Sequence, residues 1–305
     1  MSNRDGPLVA IGLPVYNGER FLRESIDSIR VQTYRNWTLT IVDNASNDGT
    51  ESICREYAQS DDRIAYFRNP TNVGLARNFN RAFSLSKGTY FRWHAHDDVL
   101  DEKFLELSVT ALSENPLAAL AYPETIVINE IGEPILGYDI GADIDLCRGA
   151  SADRFKRYAA LQRPSVARYI FGLTRPELLK YSRLMMSHMW ADATLLSELL
   201  LSGPFILANG ATIRLRVSDE HASALMGKKQ LRAWQRVLDP RSAGLVSTWV
   251  SRYRRYWEYF VSVGRSADLS HREKFVLLAF CASLPPRRVP DVLGRTFRQL
   301  THSTR

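Results

Sequence analysis

The chain has 305 residues, 45% of them hydrophobic, and a formal charge of +7; this suits one large domain, or one domain with an appendage, around a sizeable core. Cys54, Cys147 and Cys281 are too widely spaced for a disulfide framework or a zinc pattern, so a reducing, cytosolic setting is expected. The opening MSNRDGPLVAIG lacks the charged-then-apolar build of a signal. No apolar run approaches the ~20 residues that cross a bilayer, 275–284 coming nearest.

The charge is unevenly spread: residues 1–227 hold 24 Lys and Arg against 28 Asp and Glu, and residues 228–305 hold 16 against 5. A slightly acidic body thus carries a basic tail that suits nucleic acid, anionic lipid or an acidic partner face.

Residues 8–13 (LVAIGL) read as a short strand broken by Pro14-Val15-Tyr16-Asn17-Gly18. Phe21, Leu22, Ile26 and Ile29 then recur at helical spacing up to Gln32. Residues 37–42 (WTLTIV) form a second strand that ends in Asp43-Asn44-Ala45-Ser46. Asn47-Asp48-Gly49-Thr50 supplies turn chemistry before a helix bearing Ile53, Tyr57 and Ala58. A third strand over 63–67, a third helix over 74–85 and a fourth strand over 88–94 follow. Strand and helix alternate every ~25–30 residues, the pattern of a mostly parallel α/β sheet with right-handed crossovers. Asn17, Asp43, Asn44, Ser46, Asp97 and Asp98 all follow carboxyl ends of these strands, so they should line one crevice. Neither G-x-G-x-x-G nor G-x-x-x-x-G-K-[ST] occurs, which speaks against dinucleotide and P-loop sites.

The stretch 88–100, GTYFRWHAHDDVL, concentrates the chemistry. Alternate strand positions place His94 and His96 on one face. Adjacent Asp97 and Asp98 repel, and a divalent cation or a basic partner relieves that repulsion. A plainer role for Asp98 or Asp101 is to cap the helix announced by Phe104, Leu105, Leu107, Val109 and Leu112. Beyond it, strands are expected at 118–122 and 125–129, a loop to Gly149, a helix over 151–161 and a strand over 168–173. Arg175-Pro176-Glu177 marks a helix start with Pro in the first turn. Asp192 opens a periodic helix (Leu195, Leu196, Leu199, Leu200), and 205–208 with 211–217 read as a closing pair of strands. From 228 the chain reads as amphipathic helix, with Leu231 and Trp234, then Trp249, Tyr253, Tyr256, Trp257 and Phe260, then Phe275, Leu277 and Phe280.

Taken together, these pieces resemble glycosyltransferase family 2 over roughly residues 7–220. The matching pieces are Pro14-Val15-Tyr16-Asn17, Gln32-Thr33, the run VDNASNDGT over 42–50, the run NVGLARN over 72–78, and Gly88-Thr89-Tyr90. His96-Asp97-Asp98 stands in the place of the metal-binding D-x-D region, as in members that read A-H-D-D. The resemblance implies a GT-A fold: an α/β, Rossmann-like, mostly parallel sheet flanked by helices, here with a C-terminal helical extension. It divides the chain into a glycosyltransferase domain over 1–227 (nucleotide half about 1–100, acceptor half about 101–227) and a basic amphipathic helical extension over 228–305.

The resemblance further implies inverting, metal-dependent transfer of a hexosyl or deoxyhexosyl group from a UDP-, dTDP- or GDP-linked donor to a hydroxyl of a glycan or glycolipid. The setting it suggests is polysaccharide, glycolipid or other surface-glycan synthesis, in the cytoplasm or peripherally at the inner face of the membrane. Asp97 and Asp98 would hold Mn²⁺ or Mg²⁺, whose charge neutralises the departing pyrophosphate. Asp43 would accept from the base, with helix or turn capping as the alternative. Pro14, Val15, Tyr16 and Asn17 would wrap the nucleoside, while Asn44, Ser46, Asn72, Gly74, Arg77 and His96 complete the donor site. For Arg77 a surface salt bridge is an equal alternative. Asp192 takes the place of the catalytic base, against a simple N-cap.

Two positions depart from the family pattern. Ala95 replaces the first D-x-D carboxylate, and Arg216-Val217-Ser218 lacks the histidine of a late R-x-H element, for which His221 is a substitute. Other readings stay open: a zinc-dependent hydrolase from His94-x-His96, which Val99 weakens, and a non-catalytic nucleotide-binding module of the same fold. The tail, with Arg252, Arg254, Arg255 and Arg265 among its aromatics, would pack on the main domain, join a second subunit or lie on an anionic membrane. No nucleic-acid-binding motif is present, so nucleic acid is not expected as a partner.

Overall fold

The computed structural model describes residues 6–135, 146–160, 164–188, 190–217 and 248–284, with the side chains of 164–167 and 248–253 outside the description. The first half runs β1 (Val9–Val15), α1 (Leu22–Arg30), β2 (Trp37–Asp43), α2 (Thr50–Ser60), β3 (Ile64–Arg68), α3 (Leu75–Leu85) and β4 (Tyr90–Trp93). Its strands pair in parallel in the order β3-β2-β1-β4. The second half adds β5 (Val99–Leu100), α4 (Phe104–Glu114), β6 (Leu120–Ile128), α5 (Ser151–Ala160), a 3₁₀ turn (Pro164–Phe171), β7 (Leu173–Thr174), α6 (Pro176–Tyr181), α7 (Ala191–Ser202) and β8 (Phe205–Arg216). These extend the sheet to eight strands, ordered β3-β2-β1-β4-β7-β6-β8-β5. Helices α8 (Thr248–Arg265) and α9 (His271–Ser283) follow.

Strand β1 explains why its sequence is apolar throughout rather than alternating. Ala10 packs on one side with Phe83, Phe91 and Trp93. Val9, Ile11, Leu13 and Val15 pack on the other with Leu22, Ile26 and Ile29. Both faces are covered, as in parallel sheets. Pro14 is tolerated because pairing with β4 has ended at Gly12↔Trp93. Gln32 ties the end of α1 to the segment beyond β5: its Nε2 donates to Ser28 O and Asp101 O at 2.9 and 2.8 Å, and its Oε1 accepts from Leu105 N at 2.9 Å.

Several expectations are corrected. The strands expected at 118–122 and 125–129 are one strand, β6, with a register shift between Tyr122 and Glu124. Pro123 sits at that shift, where a missing N–H costs no ladder bond. The pair expected at 205–208 and 211–217 is likewise one strand, β8, irregular opposite the same point, with Gly210 at φ 77°. The strand expected over 168–173 is mostly the 3₁₀ turn, and only Leu173–Thr174 pairs. Its approach to β6 is close: a Cβ on Gly172 would lie 2.6 Å from Ala121 O. Neither Asp98 nor Asp101 caps α4, whose N-cap is Lys103; Asp101 Oδ1 instead meets Arg214 Nε at 3.0 Å.

In the tail, Tyr256, Tyr259, Val263, Leu277 and Cys281 share the core that holds Tyr158 of α5 and Leu195 and Leu199 of α7. The described helices therefore pack on the main domain. On their outer face Trp257, 64% exposed, stacks on Phe260 with centroids 5.8 Å apart. Ser218, His221, Leu231, Trp234 and the side chains of Trp249, Arg252 and Tyr253 lie outside the described residues. No described helix is long and apolar enough to cross a membrane.

Candidate active site

The loops that leave β1 and β2 are built around one carboxylate. Asp43 is fully buried. Its Oδ1 accepts from Ser46 N at 2.8 Å and Ser46 Oγ at 2.6 Å, and its Oδ2 accepts from Tyr66 Oη at 2.9 Å and Arg68 Nη1 at 2.5 Å. Four donors satisfy a carboxylate, and buried charge is tolerated only on those terms. The loops also hold Asn17 and Ala45 at φ 53° and 63°, in the left-handed region that costs an alanine free energy. Their shape is fixed by Asn17 N donating to Ser46 Oγ at 2.9 Å, Asn47 N to Asn17 Oδ1 at 3.0 Å, and Gly18 N to Thr50 Oγ1 at 2.8 Å. Pro14 and Val15 stay inside β1, and Tyr16, 44% exposed, and Asn17 reach the surface.

A chain of amides continues this frame to α3. Asn44 Nδ2 donates to Asn72 Oδ1 at 2.9 Å, and Asn44 Oδ1 accepts from Asn69 Nδ2 at 3.0 Å and Val73 N at 2.9 Å. Asn72 Oδ1 also takes the N–H of Gly74, which at φ 88° turns the chain into α3. Asn44 and Ser46 are thus buried framework, whereas Asn72 and Arg77 stand at the surface. Arg77 makes no ion pair among the described residues, so the surface salt bridge offered as its alternative is not seen.

At the end of β4 the histidines diverge instead of sharing a face, because the strand stops at Trp93. His94 is fully buried with Nε2 2.9 Å from Ser25 Oγ, and burial holds its pKa well below the usual histidine value. His96 is partly exposed and its Nδ1 lies 4.0 Å from Asp97 Oδ1. Gly18 makes room for this ring: a Cβ there would lie 2.7 Å from His96 Cδ2. The zinc-hydrolase reading, which needs both histidines on one ion, has no such pair here.

The two aspartates diverge as well. Asp98 is buried, its Oδ1 accepts from Arg216 N at 3.0 Å, and burial first, then Asp97, pushes its pKa well above the usual carboxylate range. Asp97 faces the rim at 22% side-chain exposure. Arg216, itself buried, staples this turn: Nε donates to Asp97 O at 3.0 Å, Nη1 to Asn129 O and Glu130 O at 3.0 and 2.9 Å, and Nη2 to Glu24 Oε2 at 2.6 Å. Among the described residues no group of three or more His, Cys, Asp or Glu side chains is placed to hold a metal by itself. Asp97 beside His96 still fits a cation that draws its other oxygens from phosphates and water, as Mg²⁺ sites do.

Asp192 sits in the first turn of α7, behind an N-cap at Trp190. It is therefore not the N-cap itself; its Oδ1 accepts from the adjacent Ala193 N at 2.7 Å. Burial raises its pKa to about 6, against the hydrogen bond from Ala193 and the charge of Arg255. The segment leading to it is tied to α3 by Asn80, whose Nδ2 donates to Met185 O at 2.9 Å and whose Oδ1 accepts from Met185 N at 3.0 Å. That tie joins the helix that opens at Gly74 to the approach of Asp192.

Sequence reasoning missed the roles of Gly18, Arg68, Arg216 and Asn80. Gly18 follows Asn17 directly and Arg216 stood out only as part of an incomplete R-x-H. Arg68 and Asn80 carry no local signal.

Residues 10–139 match the profile of the family described as Glycosyl transferase family 2. EpsE of Bacillus subtilis (strain 168), to which a glycosyltransferase role is ascribed, is 38% identical over 128 residues, covering 42% of this chain and 46% of that protein. The matched stretch spans about a third to a half of the first curated relatives. Among solved structures, residues 1–349 of S. aureus TarS align with a TM-score of 0.61 at 14% identity, covering 90% of this chain and 70% of that one. The same TarS fragment has been solved with UDP-GlcNAc. The mannosyltransferase PcManGT of Pyrobaculum calidifontis, solved with GDP-Man and Mn²⁺, aligns at 0.50 and 15% identity, over 98% of this chain and 82% of that one. At such identities these likenesses speak for the fold, which is GT-A. Residues 10–139 of this chain match the model of glycosyl transferase family 2, and the sheet that contains them continues as a GT-A fold with a helical C-terminal region.

Proposed function

We propose that this chain is a nucleotide-sugar-dependent, inverting glycosyltransferase that uses a UDP-, dTDP- or GDP-linked donor, a hydroxyl acceptor on a glycan or glycolipid, and Mn²⁺ or Mg²⁺. One observation carries the reading: the strand-end residues divide into a buried frame (Asp43, Asn44, Ser46, Asp98) and a rim that stays accessible (Tyr16, Asn17, Asn72, Arg77, His96, Asp97). A frame this heavily bonded holds a rim open for a ligand at the carboxyl ends of β1, β2 and β4. The ligands seen in TarS and PcManGT, UDP-GlcNAc and GDP-Man, are of the class such a rim would take.

Tyr16 and Asn17 would face the nucleoside, and Arg77, which makes no ion pair among the described residues, would face phosphate or base. For Asp43 to meet the base directly one of its four donors must yield, and Arg68, a third exposed and also held by Ser46 O at 2.8 Å and Glu51 Oε2 at 3.2 Å, is the most exposed of them. A bound divalent cation would neutralise charge on the departing diphosphate, and Asp97, with His96 beside it, would hold it. Asp192 takes the proton of the acceptor hydroxyl as its oxygen attacks the anomeric carbon. The bond to the diphosphate breaks, its electron pair leaves with the nucleotide, and configuration inverts. A base titrating at about 6 is both largely ionised near pH 7 and more basic than an ordinary aspartate.

Thermal shifts with UDP, dTDP and GDP, each with and without Mn²⁺, test the donor side, and product formation from the corresponding sugars tests transfer. One nucleotide should stabilise the chain in a Mn²⁺-dependent way, and Asp97→Ala should remove that dependence. Asp192→Asn should keep the shift and lose transfer by about 10²–10⁴-fold. Binding without product over a wide donor panel would favour the non-catalytic module. Normal transfer by Asp192→Asn would remove Asp192 as base.

A further inference from the structure

Arg255 is a buried cation that makes no ion pair among the described residues. It is 6% exposed, its Cζ lies 4.5 Å from the Trp190 ring centroid and 5.0 Å from that of Tyr256, and its Nη2 donates to Tyr256 Oη at 3.1 Å. Its Nε has no partner. A buried guanidinium left partly unpaired is costly, and stacking on Trp and Tyr faces recovers only part of that cost. Trp190 is the nearer of the two rings, and it is the N-cap of α7, two positions before Asp192.

Helix α8 is itself anchored where this contact needs it. Arg183 Nε meets Glu198 Oε1 of α7 at 2.5 Å, its Nη1 meets Glu258 Oε2 of α8 at 2.5 Å, and its Nη2 donates to Ser262 Oγ at 2.7 Å. All three ionised side chains are at most 16% exposed. The turn before α7, α7 itself and α8 are thereby locked at a fixed spacing, one helical turn along α8 from Arg255.

We propose that Arg255 is a positioning residue of the transfer step: gripping Trp190 from α8, it fixes the first turn of α7 and keeps a positive charge beside Asp192, so that a helix outside residues 10–139 completes the active site. This rests on the reading of Asp192 as base. Among the described residues, the titratable and charged side chains that interact electrostatically with Asp192 are Tyr158 from α5 and Tyr259 and Arg255 from α8. Two of the three are phenols with raised pKa values, neutral through the working range. Arg255 is the one cation among them, so it joins the hydrogen bond from Ala193 N in favouring the ionised, proton-accepting form of the carboxylate.

The test uses the full chain labelled with [¹³C]aspartate, with Asp192→Asn to identify the Asp192 carboxyl signal. Its titration midpoint should fall near 6 in the wild type. It should stay close to that in Arg255→Lys and rise by about one pH unit in Arg255→Met. The acid limb of the transfer rate should follow, with activity at pH 6.5 about threefold lower in Arg255→Met and largely restored in Arg255→Lys. The nucleotide-induced thermal shift should be the same in all three. Arg255→Gln keeps a donor for Tyr256 and gives the same reading should the methionine variant fail to fold. An unmoved midpoint and pH profile in the neutral variants overturn the inference. Normal transfer by Asp192→Asn instead overturns the base itself, whatever Arg255 does.

Discussion

The two halves of the proposed site, a nucleotide side and an acceptor side, are made in different ways. On the nucleotide side, short polar residues lock neighbouring loops: Asp43 to Ser46, Asn17 to Ser46, Asn44 to Asn72. The partners there are close in sequence or lie on consecutive strand-end loops. On the acceptor side the locks are ionised and reach far along the chain, as from Arg183 to Glu258, 75 residues apart. The first construction yields a rim with fixed loops and free tips. The second yields a half-buried carboxylate, Asp192, whose setting depends on a helix supplied much later in the chain. The nucleotide side should therefore tolerate loss of a rim side chain without unfolding, whereas the acceptor side should not tolerate loss of a lock.

Arg183→Met is the severest break of that contrast. It leaves Glu198 and Glu258 as buried carboxylates, with only the half-exposed Arg254 still on Glu258 at 3.3 Å. Removing one partner of a buried ionic cluster costs on the order of 3–5 kcal/mol. Denaturant unfolding should show that loss, with α8 and α9 giving up protection in hydrogen exchange before β1 to β4. Uniform destabilisation with no early opening of α8 would mean that the two halves do not differ in how they are held.

Arg216→Met comes next and acts where the halves meet. It removes donors from Asp97 O, Asn129 O and Glu130 O, and the contact with Glu24. Glu24 is 55% exposed, so solvent screens that last contact, and the carbonyls dominate the loss. A cost of about 2–3 kcal/mol is expected, smaller than for Arg183. Because Asp97 rides on the released turn, the Mn²⁺-dependent nucleotide shift should fall as well. A destabilised variant that keeps the full shift would show that Asp97 is placed by something other than Arg216.

The same difference in range explains what could be read from sequence. The β1–β4 half was readable because each strand ends in its own punctuation, Pro14 to Gly18 and Asp43 to Gly49, and because a helix separates each pair. Which strand-end residues are frame and which are rim was not readable. Asp43 and Asn44 look as accessible as Asn17 or Asn72 until Tyr66, Arg68 and Asn69 are seen to cover them. In the second half, β7 is two residues long and gains its place from Gly172 pressing on β6, which no periodicity records. Asp192 is proposed on the family resemblance and its helix start, but in sequence Arg255 is only one more cation among the aromatics of a basic tail. Its meaning depends on Trp190, 65 residues earlier, being brought beneath it.

The smallest effect expected gives the sharpest test of the adjacent aspartates. Asp98 has a folded pKa well above its reference value of 3.8. As pH rises from about 3.8 the unfolded chain releases this proton while the folded chain retains it, so stability falls until pH passes the folded value. Asp192, raised to about 6, has the same sign over the window between about 3.8 and 6. Asn at 98 keeps an oxygen for Arg216 N and mimics the neutral acid, so Asp98→Asn should match the wild type near pH 4. In metal-free buffer at pH 8 it should be more stable by roughly 1 kcal/mol or less, because a buried ionised carboxylate is replaced by a neutral one. Its Mn²⁺-dependent nucleotide shift should survive, unlike that of Asp97→Ala. If Asp98→Asn loses the shift as completely as Asp97→Ala does, both carboxylates reach the ligand, and the division between a buried frame and an accessible rim fails at the very turn that motivated it.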